Sequence, residues 1–384
     1  MADTEHVRDM IRAARPWFPR EDIDQILPAI ESILESGWLI LGEHTDAFER
    51  AFRQYVGTQH AVAVSSCSAA LQIAFRFFGV KGREVILPTN NFPGDVSALL
   101  YEGGIPVLAD MDPYTFCMDT DDALRRITPQ TAGIVVVHLG GLVYPDIDRI
   151  REVCEERGLF LIEDVAHAHG AAMGNRKAGS LAHAGCFSFY PTKIMTTGTG
   201  GMITTDNEKL ARYAQSVRHH GQGKRREDFV EMGSDWCMTE MHAVLGRSQL
   251  ARLDETVAYR NQLVEWYRQG LGDADWITIP RYPAEFRHAY YKLPTIVGED
   301  VNRDLLRRIL EDEYQIQNGT IYDPPCHLQL ALQSTLGLQR GAYPKAERGL
   351  ARQLCPPVHA TVTRDQVAAV VEAMQSTIDR CRTS

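Results

Sequence analysis

The sequence predicts an α/β protein with a mostly parallel sheet in a large domain (residues 1–255), followed by a smaller α+β C-terminal domain (256–384). Two observations carry this expectation. Between residues 61 and 205, short β-branched runs alternate with helix-length segments, and beyond residue 238 the alternation gives way to longer helical patterns. Runs that are apolar almost throughout, rather than at every second residue, mark strands covered on both faces, which is the setting of a parallel sheet.

In chain order, strands are expected at AVAVS (61–65), REVIL (83–87), IPVLAD (105–110), GIVVVH (133–138), LFLIE (159–163), GCFSF (185–189) and GMITT (201–205). Helices are expected between them, over 68–79 and 146–157 among others. From Met238 the stretch MTEMHAVLGRSQLARLDETVAYRNQLVEWYRQGL repeats apolar residues at helical spacing. HAYYKLPTIV (288–297) alternates as a strand would, and helical patterns return at 302–313 and 364–380.

Composition narrows the function. A chain that is 44% hydrophobic and 23% charged is an ordinary soluble globular protein. Its net charge of −10 argues against the basic surface that nucleic acid requires. MADTEHVRDMIRAARPWFPRED at the N-terminus has no apolar core of signal-peptide length, and no stretch is long and apolar enough to span a bilayer. A cytoplasmic protein with no membrane partner is expected. The eight cysteines include no C-x-x-C pair, so neither a disulfide framework nor a structural zinc site is predicted, and most should be buried thiols.

In parallel sheets ligands bind beyond the carboxyl ends of the strands, so the residues leaving those strands are where chemistry is sought. VAVSSCSAALQIAF runs from a strand through Ser65, Ser66, Cys67 and Ser68 straight into a helix. Such a junction is either a plain serine N-cap or an anion cradle, in which small residues let backbone N–H groups approach a phosphate. LFLIEDVAHAHG ends a buried strand in Glu163 and Asp164, with His167 and His169 beyond. A buried acid needs a cation or a protonated ring nitrogen as partner. An H-x-H pair beside acids can bind zinc, but no third ligand follows at a familiar spacing, so no metal is expected.

FSFYPTKIMTTGTGGMITT places Lys193 at the exit of the next strand, 29 residues past Asp164, with Ser188 five residues before it. Taken alone, Lys193 is either a solvated side chain or a nucleophile. Anion cradle, buried acid and lysine together fit pyridoxal phosphate (PLP), which needs small donors for its phosphate, an acid to keep its ring nitrogen protonated, and an amine to form a Schiff base.

With SGWLILGEHTDAFERAF (36–52), SSCSAALQ, EVILPTNNF, PVLADMDP, VVVHLGG, EDVAHAHGA, FSFYPTK, GGMITT, MTEMHAVLGRSQLARLD, HAYYK and AYPKAERGLARQLCPPVH (342–359) in this order, the chain resembles the DegT/DnrJ/EryC1/StrS sugar aminotransferases over nearly its whole length. The resemblance implies the aspartate-aminotransferase fold (fold type I of PLP-dependent transferases). It also implies a homodimer with active sites at the subunit interface, and PLP cycling with pyridoxamine phosphate. The activity implied is transfer of an amino group from glutamate or glutamine to a keto group of a nucleotide-linked sugar or a cyclitol.

By position, Lys193 matches the Schiff-base lysine and proton shuttle, Asp164 the partner of the pyridinium nitrogen, and Phe92 the aromatic that stacks on the ring. Cys67, Ser68 and Ser188 fall on the phosphate cradle. His167 stands where many members have a glutamine beside the ring hydroxyl, and Tyr322 and His327 in IYDPPCH match a segment near the substrate. Tyr190 and His138 sit in family motifs and are read as structural. A sugar dehydratase of the same fold is the alternative, but that branch replaces the lysine with histidine. A cofactor-binding regulator without turnover is the other.

The sequence departs from the family pattern at several points. Cys67-Ser68 stands for Gly-Thr, and Thr199 for a glutamate in the glycine-rich tail. In SDWCMTE, Asp235 and Cys237 replace an asparagine and an arginine of a loop that in the family reaches the neighbouring subunit's phosphate. A carboxylate about 4 Å from a phosphate costs roughly 1 kcal/mol per charge in water and about 4 at an effective dielectric near 20. Either Asp235 turns away or a cation offsets it, and RHHGQGKRR (218–226) is the nearby basic run, read otherwise as a solvated loop.

Overall fold

The computed structural model describes residues 10–225 and 227–383. Residues 1–9 of the N-terminal segment, Arg226 at the end of the basic run, and Ser384 lie outside the described residues. The elements that build the site are β1 (His60–Val64), β2 (Glu84–Pro88), β3 (Ile105–Ala109), β4 (Thr131–Val137), β5 (Phe160–Asp164), a small hairpin of β6 (Ala172–Met173) and β7 (Arg176–Lys177), β8 (Ala184–Ser188) and β9 (Gly201–Thr205). All seven strands expected between residues 61 and 205 form, and they make one sheet in the order β1-β9-β8-β5-β4-β2-β3.

The pairs from β3 through β2, β4 and β5 to β8 are parallel, whereas β9 is antiparallel to both β8 and β1. Every residue of β4, β5, β8 and β9 is buried, which accounts for their continuous apolar patterns. Because β9 runs backwards, its first residue, Gly201, lies at the edge where β1 and β8 end, paired with Val64 on one side and Ser188 on the other.

The helices of this region are α1 (Arg20–Ser36), α2 (Glu43–Val56), α3 (Cys67–Phe77), α4 (Pro93–Tyr101), α5 (Thr120–Arg125), α6 (Ile147–Arg157), α7 (Glu208–Val217), α8 (Glu240–Ala251) and α9 (Leu253–Leu271). The long helical stretch after Met238 is therefore two helices that break at Arg252. One apolar core runs through the central sheet and its helices, and a second starts at Leu263 in α9 and continues to Cys381. Residues 321–355 contribute several side chains to the first core, among them Ile321, Cys326 and Leu350.

The expectation of one strand over 288–297 is corrected. Only Thr295–Val297 is a strand, paired with Ile277–Thr278 and Gln353–Leu354. Residues 288–292 instead dock on the turn after β4: Ala289 N–H donates to the Gly141 carbonyl at 2.8 Å and Lys292 N–H to Gly140 at 3.2 Å. Gly141 has φ +106, and a Cβ there would sit 2.7 Å from the Tyr290 nitrogen, so this close approach needs glycine. The buried Arg260 guanidinium holds the other side, donating to the Tyr290 carbonyl at 2.9 Å.

The N-terminus of α2 is capped from a distance by Glu240. Its carboxylate accepts the N–H groups of Gly42 (2.9 Å), His44 (2.8 Å) and Thr45 (2.9 Å), and also the Thr45 hydroxyl. Burial pushes this carboxyl up, but the hydrogen bonds outweigh it and hold it below its ordinary value of 4.5. A carboxyl depressed in the folded state stabilises above its unfolded pKa, and that contribution is lost as pH falls through the folded value. Wild-type protein should therefore lose stability below about pH 4.5 more steeply than Glu240→Gln. Denaturant midpoints at a series of acidic pH values check this, and parallel curves would refute it.

Candidate active site

The exits of β1, β5 and β8 and the N-terminus of α4 surround a cavity of about 360 Å³. Its lining includes Cys67, Ser68, Phe92, Asp164, Ser188, Lys193 and Tyr322, so seven residues singled out in the sequence meet in one place. Thr199 and Tyr190 also line it, the latter 57% exposed and hence at the mouth rather than in the scaffold where it was expected.

Neighbouring residues of a strand face opposite ways, and this separates the two acids that end β5. Asp164, 3% exposed, faces the cavity and accepts the Ala166 N–H at 2.8 Å. Glu163 faces the interior, where it accepts His138 Nε2–H at 2.7 Å, Gly179 N–H at 2.8 Å and Leu181 N–H at 2.7 Å. His138 Nδ1 accepts the Tyr144 N–H at 2.9 Å, so the ring hydrogen sits on Nε2. This agrees with a structural reading of His138. Glu163→Ala would strand three buried donors at about 1–3 kcal/mol each, and should lower unfolding free energy by roughly 3 kcal/mol or more, measured by urea denaturation.

At the other wall, Ser66 caps α3 by accepting the Ala69 N–H at 3.1 Å. The N–H groups of Cys67 and Ser68, first in the helix, have no acceptor within it and point outward from its N-terminus. The Cys67 side chain turns to Asp164 instead, its thiol 3.9 Å from Oδ1. Burial and then Asp164 push that thiol well above its ordinary value, so it stays neutral. What Cys67 offers an anion is its backbone. Gly201 lets the start of β9 pack directly against the start of α3, since a Cβ there would lie 2.4 Å from the Ser66 carbonyl.

Lys193 stands in a loop fixed by its backbone. Its N–H donates to the Tyr190 carbonyl at 3.0 Å, Thr197 N–H to Phe189 at 3.1 Å, and Phe189 N–H to Gly200 at 2.9 Å. The ammonium lies 4.7 Å from the ring centre of Tyr291. The strand-like alternation of HAYYKLPTIV gives no sign that Tyr291 lines the site. Burial raises its phenol, but Lys193, Lys292 and the Thr192 hydroxyl outweigh that and bring it below 10.0.

His167 lies behind this wall, stacked on Tyr291 at 4.3 Å. Its Nδ1 accepts the Gly140 N–H at 3.3 Å, and Nε2 lies 2.7 Å from the Tyr322 hydroxyl. Burial, followed by Lys193 and Lys292, drives the imidazole well below 6.5, so it is neutral. With Nδ1 accepting, Nε2 carries the hydrogen and donates to Tyr322, which leaves the phenol hydrogen free to point into the cavity. His167 thus acts on the cavity through Tyr322.

His327 does not reach the cavity, contrary to expectation. The turn Cys326–Leu328 aims it back at the exit of β2, where Nδ1 is 2.7 Å from the Thr89 hydroxyl and Nε2 is 3.0 Å from Glu347. Among the described residues, no group of three or more His, Cys, Asp or Glu is arranged to hold a metal ion.

A profile of the DegT/DnrJ/EryC1/StrS aminotransferase family matches residues 20–375. The chain belongs to this family. It is similar to GDP-perosamine synthase of Caulobacter vibrioides, with 35% identity over 319 residues, 82% of this chain and 85% of that protein. Among solved structures, it superposes on the aminotransferase TlmJ of Streptoalloteichus hindustanus with a TM-score of 0.88 and 32% identity, covering 97% and 99% of the two chains. Spr1654 of Streptococcus pneumoniae, solved in PLP and PMP forms, matches with TM-scores of 0.90 and 0.89 at 26% identity, over 97% of this chain and 100% and 98% of those.

Within this DegT-family chain, Asp235 is exposed and lies outside the cavity. Its backbone bridges His219, and Trp236 beside it accepts the Ser65 N–H at 2.8 Å. Arg218 of the basic run is spent internally, donating to Glu49 and to the Ala63 carbonyl. Cys237 lies against the Arg218 carbonyl at 3.3 Å. The Thr199 hydroxyl donates to the Ser65 carbonyl at 3.3 Å.

Proposed function

We propose that this aminotransferase binds PLP in the 360 Å³ cavity and moves an amino group from glutamate or glutamine to a keto group of a nucleotide-linked sugar or related cyclitol. The observation that carries the reading is Asp164 and Lys193 on one cavity wall with the open N-terminus of α3 beside them. The residues fit the cofactor. Free helix N–H groups and Ser68 and Ser188 suit a phosphate, and a buried carboxylate with no ion pair among the described residues suits a ring nitrogen.

When bound, PLP supplies an aldehyde to carry the amino group and a ring that accepts electrons from the substrate carbon. The chain supplies the rest. Lys193 takes the proton from the donor's α-carbon and returns it to the acceptor carbon. Asp164 would hold the ring nitrogen protonated. Phe92 would stack on the ring, and Tyr322, oriented by His167, would offer its phenol hydrogen to the bound group.

The same reading makes the protein a cytoplasmic homodimer with residues 1–255 and 256–384 as its two domains. Among the described residues, Lys193 is the one cation lining the cavity, which is little for a dianion, so a second subunit has a contribution to make. Trp38, Leu39, Ile40, Phe229, Val230 and Met232 are large apolar side chains left exposed in the single chain. No helix among the described residues is long and apolar enough to cross a membrane.

Mixing the PLP-loaded protein with glutamate or glutamine should convert its visible absorbance to that of the pyridoxamine form. Keto-sugar nucleotides and cyclitol ketones, added singly, should then restore it when productive. No conversion with any common amino donor would sink the proposal.

A further inference from the structure

Asp95, the third residue of α4, was absent from the sequence-based candidates, yet it lines the same cavity as Asp164. The two side chains are 4% and 3% exposed, and their carboxyls lie within hydrogen-bonding reach of each other. One Asp95 oxygen accepts from Asn91 Nδ2 at 3.0 Å, and Asp164 Oδ1 accepts the Ala166 N–H. Neither forms an ion pair among the described residues. Two carboxylates brought together in a buried site, neither of them in an ion pair among the described residues, are not both ionised at once.

We propose that Asp95 and Asp164 form a carboxyl dyad that holds one proton at neutral pH, Asp95 donating it to Asp164, so that the pair presents one negative charge to the cofactor ring. Its effect on the cofactor rests on the PLP reading; the dyad itself does not.

Burial, then the charge of Asp164, push the Asp95 carboxyl well above its ordinary value, while Asn91 and Lys193 pull less strongly the other way. The other titratable groups around it are Cys67, Cys186, Tyr322 and Cys326, and burial raises all four, so they stay neutral. That leaves Lys193 as the one cation acting on the pair. A single rather than a double negative charge matters here because the phosphate is to be held nearby. Asp95 is thus a positioning residue: it orients Asp164 and sets the charge that the pair presents to the cavity.

The test is a carbon-13 NMR titration of the full chain labelled at aspartate carboxyls, from about pH 5 to 9, with and without PLP. One aspartate should remain protonated above about pH 7 without cofactor, and its signal should be missing in Asp95→Asn. No aspartate protonated above about pH 6 in the wild type would overturn the proposal. So would survival of the signal in Asp95→Asn.

Should Asp95→Asn fail to fold, Asp164→Asn decides. Removing the like charge should lower the high titration, and an unmoved titration overturns the dyad. Absence of PLP-dependent visible absorbance would refute the cofactor reading and leave the titration in the cofactor-free protein to stand by itself.

Discussion

Lys193→Ala is expected to abolish amino-group transfer, with a loss of at least about 10²–10⁴-fold, the range for removing a positioned acid–base group. The fold should survive, because the loop is held by backbone hydrogen bonds from Lys193, Thr197 and Phe189 that do not involve the lysine side chain. The protein should still take up PLP, since the α3 N-terminus, the serines and Asp164 remain. Single-turnover mixing with glutamate reads the loss directly, and circular dichroism checks the fold. A variant that converts the cofactor at the wild-type rate would remove Lys193 from the mechanism.

The second large effect is at Asp164. Asp164→Asn preserves the size of the side chain and an acceptor for the Ala166 N–H, but loses the charge proposed to hold a ring nitrogen protonated. Removing one preorganised electrostatic partner costs about 10²–10³-fold in rate. Stability should change little by comparison. Glu163→Ala, one residue away, should do the reverse, lowering stability while leaving little direct mark on the chemical step. Rate and denaturation measured on both variants separate the roles, and equal rate losses at the two positions would contradict the assignment.

The strands were legible because most of their residues are buried, throughout in β4, β5, β8 and β9, so that their patterns are nearly continuously apolar. Lys193, Asp164 and Ser188 were legible for a related reason: polar residues that end such runs lie at the sheet edge where ligands bind. Asp95 was not, because an acid in the first turn of a helix is ordinary N-terminal chemistry and nothing local shows that it faces a second acid. Tyr291 was hidden by an alternation that suits a strand, while its real conformation depends on Gly140 and Gly141, some 150 residues earlier. His327 resembles a substrate-side residue by motif. Its direction is set by Thr89 and Glu347, which are distant in sequence.

The reversed strand β9 has a mechanical consequence for the lysine. The chain leaves the sheet at Ser188 and re-enters at Gly201, and those two residues are paired partners. The segment between them is thus a closed loop with both feet on the same footing. Its base cannot drift away from the neighbouring strand ends, so travel belongs to the flexible four-carbon arm of Lys193 alone. The amine can swing away and come back along a path whose pivot stays fixed, as a group that must let go of one partner and later reclaim it requires.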